Sequence, residues 1–131
     1  MAGELILIVE DNEMNRKLAR DVLRFKGYRT VETVSAEEGL KVAREQHPAL
    51  ILMDFHLPGM NGIQALEVLR ADPTIATIPV IAVTASAMTE DRARIVQAGF
   101  DGLQTKPISV MEFIAAVQAC LAKHATKEGG R

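Results

Sequence analysis

Three runs of branched apolar residues constrain this chain more than any other feature: Leu5-Ile6-Leu7-Ile8-Val9, Leu50-Ile51-Leu52-Met53 and Val80-Ile81-Ala82-Val83. None alternates with polar residues. A strand with one wet face reads apolar, polar, apolar. Unbroken runs of this length read as strands buried on both faces, as in a parallel sheet covered by helices. Thr30-Val31-Glu32-Thr33-Val34 and the segment around Gly102-Leu103-Gln104 are weaker candidates of the same kind.

Helical patterns separate these runs. Met14, Leu18, Val22 and Phe25 recur at helical spacing, and Gly27 is placed to stop that helix. Ser35 and Glu38 have the form of a capping box, and the helix they open should end before Pro48. A third helix is expected from Ile63 to Leu69, after the turn signal Asn61-Gly62. Thr89 and Gly99 bracket a fourth. Ser109 and Glu112 form another capping box, after which Phe113, Val117 and Leu121 line one face. Strand and helix thus alternate along the whole chain, which predicts an α/β fold with a parallel sheet and right-handed crossovers.

At 131 residues the chain fits one domain. That domain is expected over residues 1–123, with 124–131 a disordered tail containing Gly129-Gly130. A formal net charge of -2 argues against nucleic acid as the main partner, since a backbone reader needs a basic field. The lone Cys120 cannot form an internal disulfide. Met1-Ala2-Gly3-Glu4 lacks a signal-peptide pattern, and no apolar run approaches the ~20 residues of a membrane span. A cytoplasmic protein with no membrane partner is the expectation.

In an open α/β sheet, ligands bind outside the carboxyl ends of the strands. The polar residues that follow the runs are Glu10 and Asp11, then Asp54, then Thr84, then Lys106 with Pro107. Taken singly, each has a plainer reading. Glu10-Asp11-Asn12 could cap a helix, Asp54 could be a turn residue, Thr84 a strand-end hydroxyl and Lys106 a solvated surface lysine. His56 reads as a loop residue. The combination carries more weight than its members. Carboxylates packed together raise each other's pKa unless a cation neutralises them. An all-oxygen donor set with no Cys/His cluster nearby suits Mg²⁺. A carboxylate is also a nucleophile toward phosphorus, and phosphoryl transfer asks little of a protein beyond alignment and charge neutralisation.

Val9-Glu10-Asp11-Asn12, Met53-Asp54-Phe55-His56-Leu57-Pro58-Gly59-Met60-Asn61-Gly62, Val83-Thr84-Ala85 and Thr105-Lys106-Pro107 resemble, in order, the landmarks of the receiver domains of two-component response regulators, the CheY-like family. The likeness runs from about Leu5 to Leu121. It implies the flavodoxin-like (βα)5 three-layer sandwich, with its five-stranded parallel sheet in order 2-1-3-4-5. It also implies that Asp54 is the phosphoacceptor. Glu10, Asp11, Asp54 and the backbone carbonyl of His56 would hold Mg²⁺. Thr84 and Lys106 would contact the phosphoryl group, a cis Lys106–Pro107 bond would shape the site, and Ser86 would tune the lifetime of the phosphate. The partners implied are a histidine kinase or histidine phosphotransfer protein and a downstream protein target, reached through the fourth helix, fifth strand and fifth helix. The Glu10–Asn15 and Lys106–Val110 stretches look similar to phosphorelay and hybrid-kinase receivers, and to stand-alone regulators of the DivK type.

One position departs from the pattern. Three residues before the lysine, many receivers carry Tyr or Phe as a switch; this chain has Leu103, with Phe100 at a different offset. A receiver that docks unphosphorylated is therefore one alternative; a receiver fragment of a hybrid kinase is another. Two other classes share parts of the pattern. Haloacid-dehalogenase-type phosphatases need a second Asp two residues after the first, where this chain has His56, so a switch protein is expected rather than an enzyme. A flavin-binding module wants glycines and hydroxyls after the first strand, where this chain is acidic.

Overall fold

A computed structural model describes residues 3–85, 89–106 and 108–129. The three apolar runs become β1 (Leu5–Val9), β3 (Leu50–Asp54) and β4 (Val80–Thr84), and the two weaker ones β2 (Arg29–Thr33) and β5 (Gly102–Thr105). The helices are α1 (Glu13–Phe25), α2 (Ala36–Gln46), α3 (Gly62–Ala71), α4 (Thr89–Ala98) and α5 (Val110–Gly129). The strands form one sheet in the order β2-β1-β3-β4-β5. Every pairing is parallel, so all strand carboxyl ends share one edge.

Side chains alternate across each strand and feed two cores on opposite faces. Leu7, Val9, Ile51 and Met53 pack with Leu40 of α2 and Leu66 and Leu69 of α3. Ile6, Ile8, Leu50 and Leu52 pack with Leu23 of α1 and Phe113 and Val117 of α5. This is why the runs carry no polar alternation: neither face of the central strands meets water. A smaller cluster under α4 joins Phe55, Ala82 and Ile95, with Ile63, Phe100 and Leu103 against it.

The caps follow local chemistry. The Ser35 hydroxyl accepts from the Glu38 N–H at 3.2 Å, and the Glu38 carboxylate accepts from Val34 N–H at 3.3 Å, one residue earlier than a capping box requires. A full reciprocal box is present at α3, where Asn61 and Gln64 exchange both bonds. His47 ends α2 in the left-handed region at φ 48, ahead of Pro48.

Two features differ from the sequence reading. In α1 the periodic stripe faces outward at its ends: Met14 is 80% exposed and Phe25 87%, while Ala19 and Leu23 form the buried side. Of the expected stripe, Val22 is half-buried against that core, while Met14, Leu18 and Phe25 are exposed. The second difference is α5, which stays helical to Gly129, past the boundary at residue 123. The segment Ala122 to Glu128 contains several good helix formers. No helix among the described residues is long and apolar enough to cross a membrane.

Candidate functional site

The parallel sheet brings Glu10, Asp11, Asp54, Thr84 and Lys106 to one edge. Register makes this concrete: Val9 pairs with Met53, Asp54 with Val83, and Thr84 with Thr105. Each of these residues therefore lies within a residue or two of a strand's carboxyl end.

Asp54 closes β3 and is buried, at 4% exposure. Two bonds hold its carboxylate. The His56 N–H donates to Oδ1 at 3.0 Å and the Lys106 ammonium donates to Oδ2 at 2.9 Å. Glu10, 5% exposed, shares the same ammonium, with Lys106 Nζ 2.9 Å from its Oε1. Its Oε2 accepts from Asn12 N–H at 3.1 Å. Asp11 is exposed, and its carboxylate stands with those of Glu10 and Asp54 so that one oxygen from each lies within 4.8 Å of the others. Thr84 is fully buried at the end of β4, and its carbonyl accepts from the Lys106 N–H at 2.8 Å. The His56 ring is exposed and meets the Phe55 ring edge-on at 4.9 Å.

The charge balance is lopsided, with one ammonium facing three carboxylates. Burial pushes the Glu10 carboxyl up to about 7, against the pull of Lys106 and the Asn12 N–H. Burial also works upward on Asp54, but the Lys106 ammonium and the His56 N–H outweigh it, and Asp54 lies below the ordinary carboxylate value. For Lys106, burial works downward, and the two carboxylates outweigh it, so its pKa is raised. The site thus keeps Asp54 ionised and leaves Glu10 short of a counter-charge.

This arrangement sets the sign of a pH effect. Folded Glu10 holds its proton up to about pH 7, while the unfolded chain releases it near 4.5. The folded state binds more protons between these values, so this contribution to stability is fully present below about 4.5 and is lost as pH rises through about 7. Asp54 and Asp72 are both held below 3.8 and titrate below this window. Thermal melts in EDTA are expected to show a midpoint that falls between pH 5 and pH 8, and Mg²⁺ is expected to reduce the fall. A midpoint that rises over the same interval would contradict the buried, under-neutralised Glu10.

All five strand-end residues named from the sequence are brought together. Ser86 and Pro107 lie outside the described residues. Leu103 is half-buried, pairs with Ala82 across β4 and β5, and packs on the cluster around Phe55 rather than on the carboxylates. The sequence reading missed Arg16. Its Nη1 donates to the Glu10 carbonyl at 3.0 Å, a contact from α1 back across the loop that no local spacing announces.

Comparison with known proteins agrees with this geometry. A family model for the response regulator receiver domain matches residues 6–118. The polar-differentiation response regulator DivK of Brucella ovis is 48% identical over 116 residues, covering 88% of this chain and 94% of its own length. The receiver domain of a sensor histidine kinase from Pseudomonas aeruginosa PAO1, whose structure has a magnesium ion coordinated in the active-site cleft, superposes with a TM-score of 0.85 at 34% identity, over 92% of this chain and 99% of that one. A CheY-like receiver domain protein from Methanospirillum hungatei JF-1 gives 0.85 at 26% identity, over 96% of this chain and 99% of that one. With the fold, the strand order and the sequence in agreement, the chain belongs to the response regulator receiver domain family of two-component signalling.

Proposed function

We propose that this receiver accepts a phosphoryl group on Asp54 from a phosphohistidine of a histidine kinase or phosphotransfer protein, with Mg²⁺ as cofactor. The observation that carries the reading is the Asp54 carboxylate itself: buried, ionised, held by two hydrogen bonds, and grouped with two further carboxylates and one ammonium.

The donor set fits a hard divalent cation. Three carboxylates converge, all oxygen, with no His or Cys side chain in the group and a charge surplus that Lys106 alone does not cancel. Glu10, Asp11, Asp54 and the His56 main-chain carbonyl would hold Mg²⁺, which supplies charge neutralisation for the phosphoryl oxygens. The magnesium ion in the similar Pseudomonas receiver supports the same assignment.

The chain's own residues account for the rest. Asp54 attacks phosphorus, forming the acyl phosphate O–P bond as the P–N bond to the donor imidazole breaks, and the imidazole keeps the electron pair. The His56 N–H and Lys106 hold the carboxylate in one rotamer before attack. Lys106 then shifts its ammonium to the new phosphoryl oxygens, and the Thr84 hydroxyl donates to them. Hydrolysis resets the site, with His56 and Ser86 tuning its rate. Exposed Met14 and Leu18 on α1, beside the acidic loop, offer the donor an apolar foothold. The output is a change in the α4–β5–α5 face that alters contacts with a downstream protein. Leu103, on β5 beneath α4, and Pro107 belong to that response. The receiver unit is assigned to residues 1–123, and the last turns of α5 with the residues after them, 124–131, form a tail beyond it.

Incubation of the purified chain with a small phosphodonor and Mg²⁺ tests this. One acid-labile phosphoryl group per chain is expected, and EDTA is expected to prevent it. Equal labelling in EDTA, or none under either condition, would overturn the reading.

A further inference from the structure

We propose that Arg16 is a positioning residue: anchored by Glu32, its guanidinium pins the Glu10 carbonyl, and through that peptide unit it sets where the Asp11 carboxylate stands. The inference rests on the reading of Glu10, Asp11 and Asp54 as cation ligands.

Asp11 differs from its two neighbours in the site. Glu10 and Asp54 are buried and bonded to Lys106, whereas Asp11 is exposed. Packing therefore does not place its carboxylate; the backbone does. The Glu10 carbonyl belongs to the planar unit that ends at the Asp11 Cα, so fixing that oxygen fixes the origin of the Asp11 side chain. Arg16 Nη1 donates to the oxygen at 3.0 Å. The preceding peptide is fixed separately, by the Glu10 N–H donating to the Thr33 carbonyl at 3.1 Å.

Arg16 is itself held. Its Nε lies 3.5 Å from Glu32 Oε1 on the edge strand β2, and Arg20 Nη1 lies 3.7 Å from Glu32 Oε2. The Arg16 and Glu32 side chains are only 17% and 24% exposed. A solvated arginine would not hold one rotamer across this span, but one tied at both ends links α1, the end of β1 and β2 around the acidic loop. Residues that orient metal ligands from behind typically cost roughly 10–100-fold in metal affinity when removed.

Charge and positioning predict opposite signs, which makes the idea testable. Removing a cation near three carboxylates should tighten Mg²⁺ binding if charge is all that matters. If Arg16 positions the loop, Arg16→Ala should weaken Mg²⁺ binding about tenfold, and Arg16→Lys, which keeps the charge and one donor, should recover part of it. Glu32→Gln should weaken binding in the same direction by less, and add little to Arg16→Ala in the double variant. Calorimetric Mg²⁺ titration reads these, with thermal midpoints showing that each variant is folded. Hydrogen exchange at the Asn12 amide in metal-free protein, several-fold faster in Arg16→Ala and in Glu32→Gln, gives a second readout. Unchanged or tighter Mg²⁺ binding in folded Arg16→Ala, or unchanged Asn12 exchange, would overturn the proposal. If the parent protein itself bound no Mg²⁺, the proposed function would lose its cofactor, and Asn12 exchange would still decide the role of Arg16.

Discussion

Asp54→Asn is expected to reduce acid-labile phosphate incorporation to background while leaving the protein folded. The amide keeps the shape of the carboxylate but is too poor a nucleophile to attack phosphorus. It also removes one of three crowded negative charges, so the fold should not suffer. Lys106 would remain bonded to Glu10, 2.9 Å away in the parent. With Asp54 no longer adding to the upward pressure on Glu10, the fall in stability between pH 5 and pH 8 should flatten. Labelling and a pH series of melts on the same preparation check both consequences. A variant that incorporates phosphate like the parent would remove Asp54 from the chemistry. One that unfolds would contradict the view that the site is over-supplied with negative charge.

Lys106→Ala is expected to produce the largest change in stability. Its ammonium serves two buried carboxylates, and removing it leaves both facing each other without a counter-charge. Breaking a buried ion pair by deleting one partner costs about 3–5 kcal/mol. The low end is expected here, because Glu10 can take up a proton in response. The cost should therefore be greater at pH 8 than at pH 5, and Mg²⁺ should restore part of it. The variant should still bind Mg²⁺, and more tightly than the parent, because a competing cation has gone. Its phosphorylated form should fail to change partner binding, since no ammonium remains to move onto the phosphoryl oxygens. Urea unfolding at the two pH values, with and without Mg²⁺, measures the first claim. Indistinguishable unfolding at pH 8 would show that Lys106 does not neutralise the pair. Unaltered phosphorylation-dependent partner binding would remove it from the response.

Much of this was legible in the residues because burial on two faces leaves a plain signature. Val80-Ile81-Ala82-Val83 has no polar alternation since neither side of β4 meets water. The strand ends were legible for a related reason. A buried run that stops at Glu10 or Asp54 marks where the chain leaves the sheet, and in parallel sheets those points converge. The strand order came from resemblance, since periodicity carries no information about which strands are neighbours. The facing of α1 was not legible. Of the stripe Met14, Leu18, Val22 and Phe25 only Val22 packs on the core, beside the buried Ala19 and Leu23, so the inward face is turned from the one the spacing marks. Nor was the double contact of Lys106, 2.9 Å from both Glu10 and Asp54, because it depends on how closely β1 and β3 end together. Arg16 was invisible for the same reason: its partners come from β1 and β2, and no pattern within α1 encodes them.

The central claim is that the carboxylate of Asp54 becomes an acyl phosphate. Borohydride reduction of the phosphorylated protein, followed by peptide mapping, tests it most directly, because an acyl phosphate on aspartate is reduced to homoserine. The expected result is homoserine at position 54 and nowhere else, formed only when phosphodonor and Mg²⁺ were both present. Reduction at Glu10 or Asp11 instead, or phosphate that resists both acid and borohydride, would contradict it.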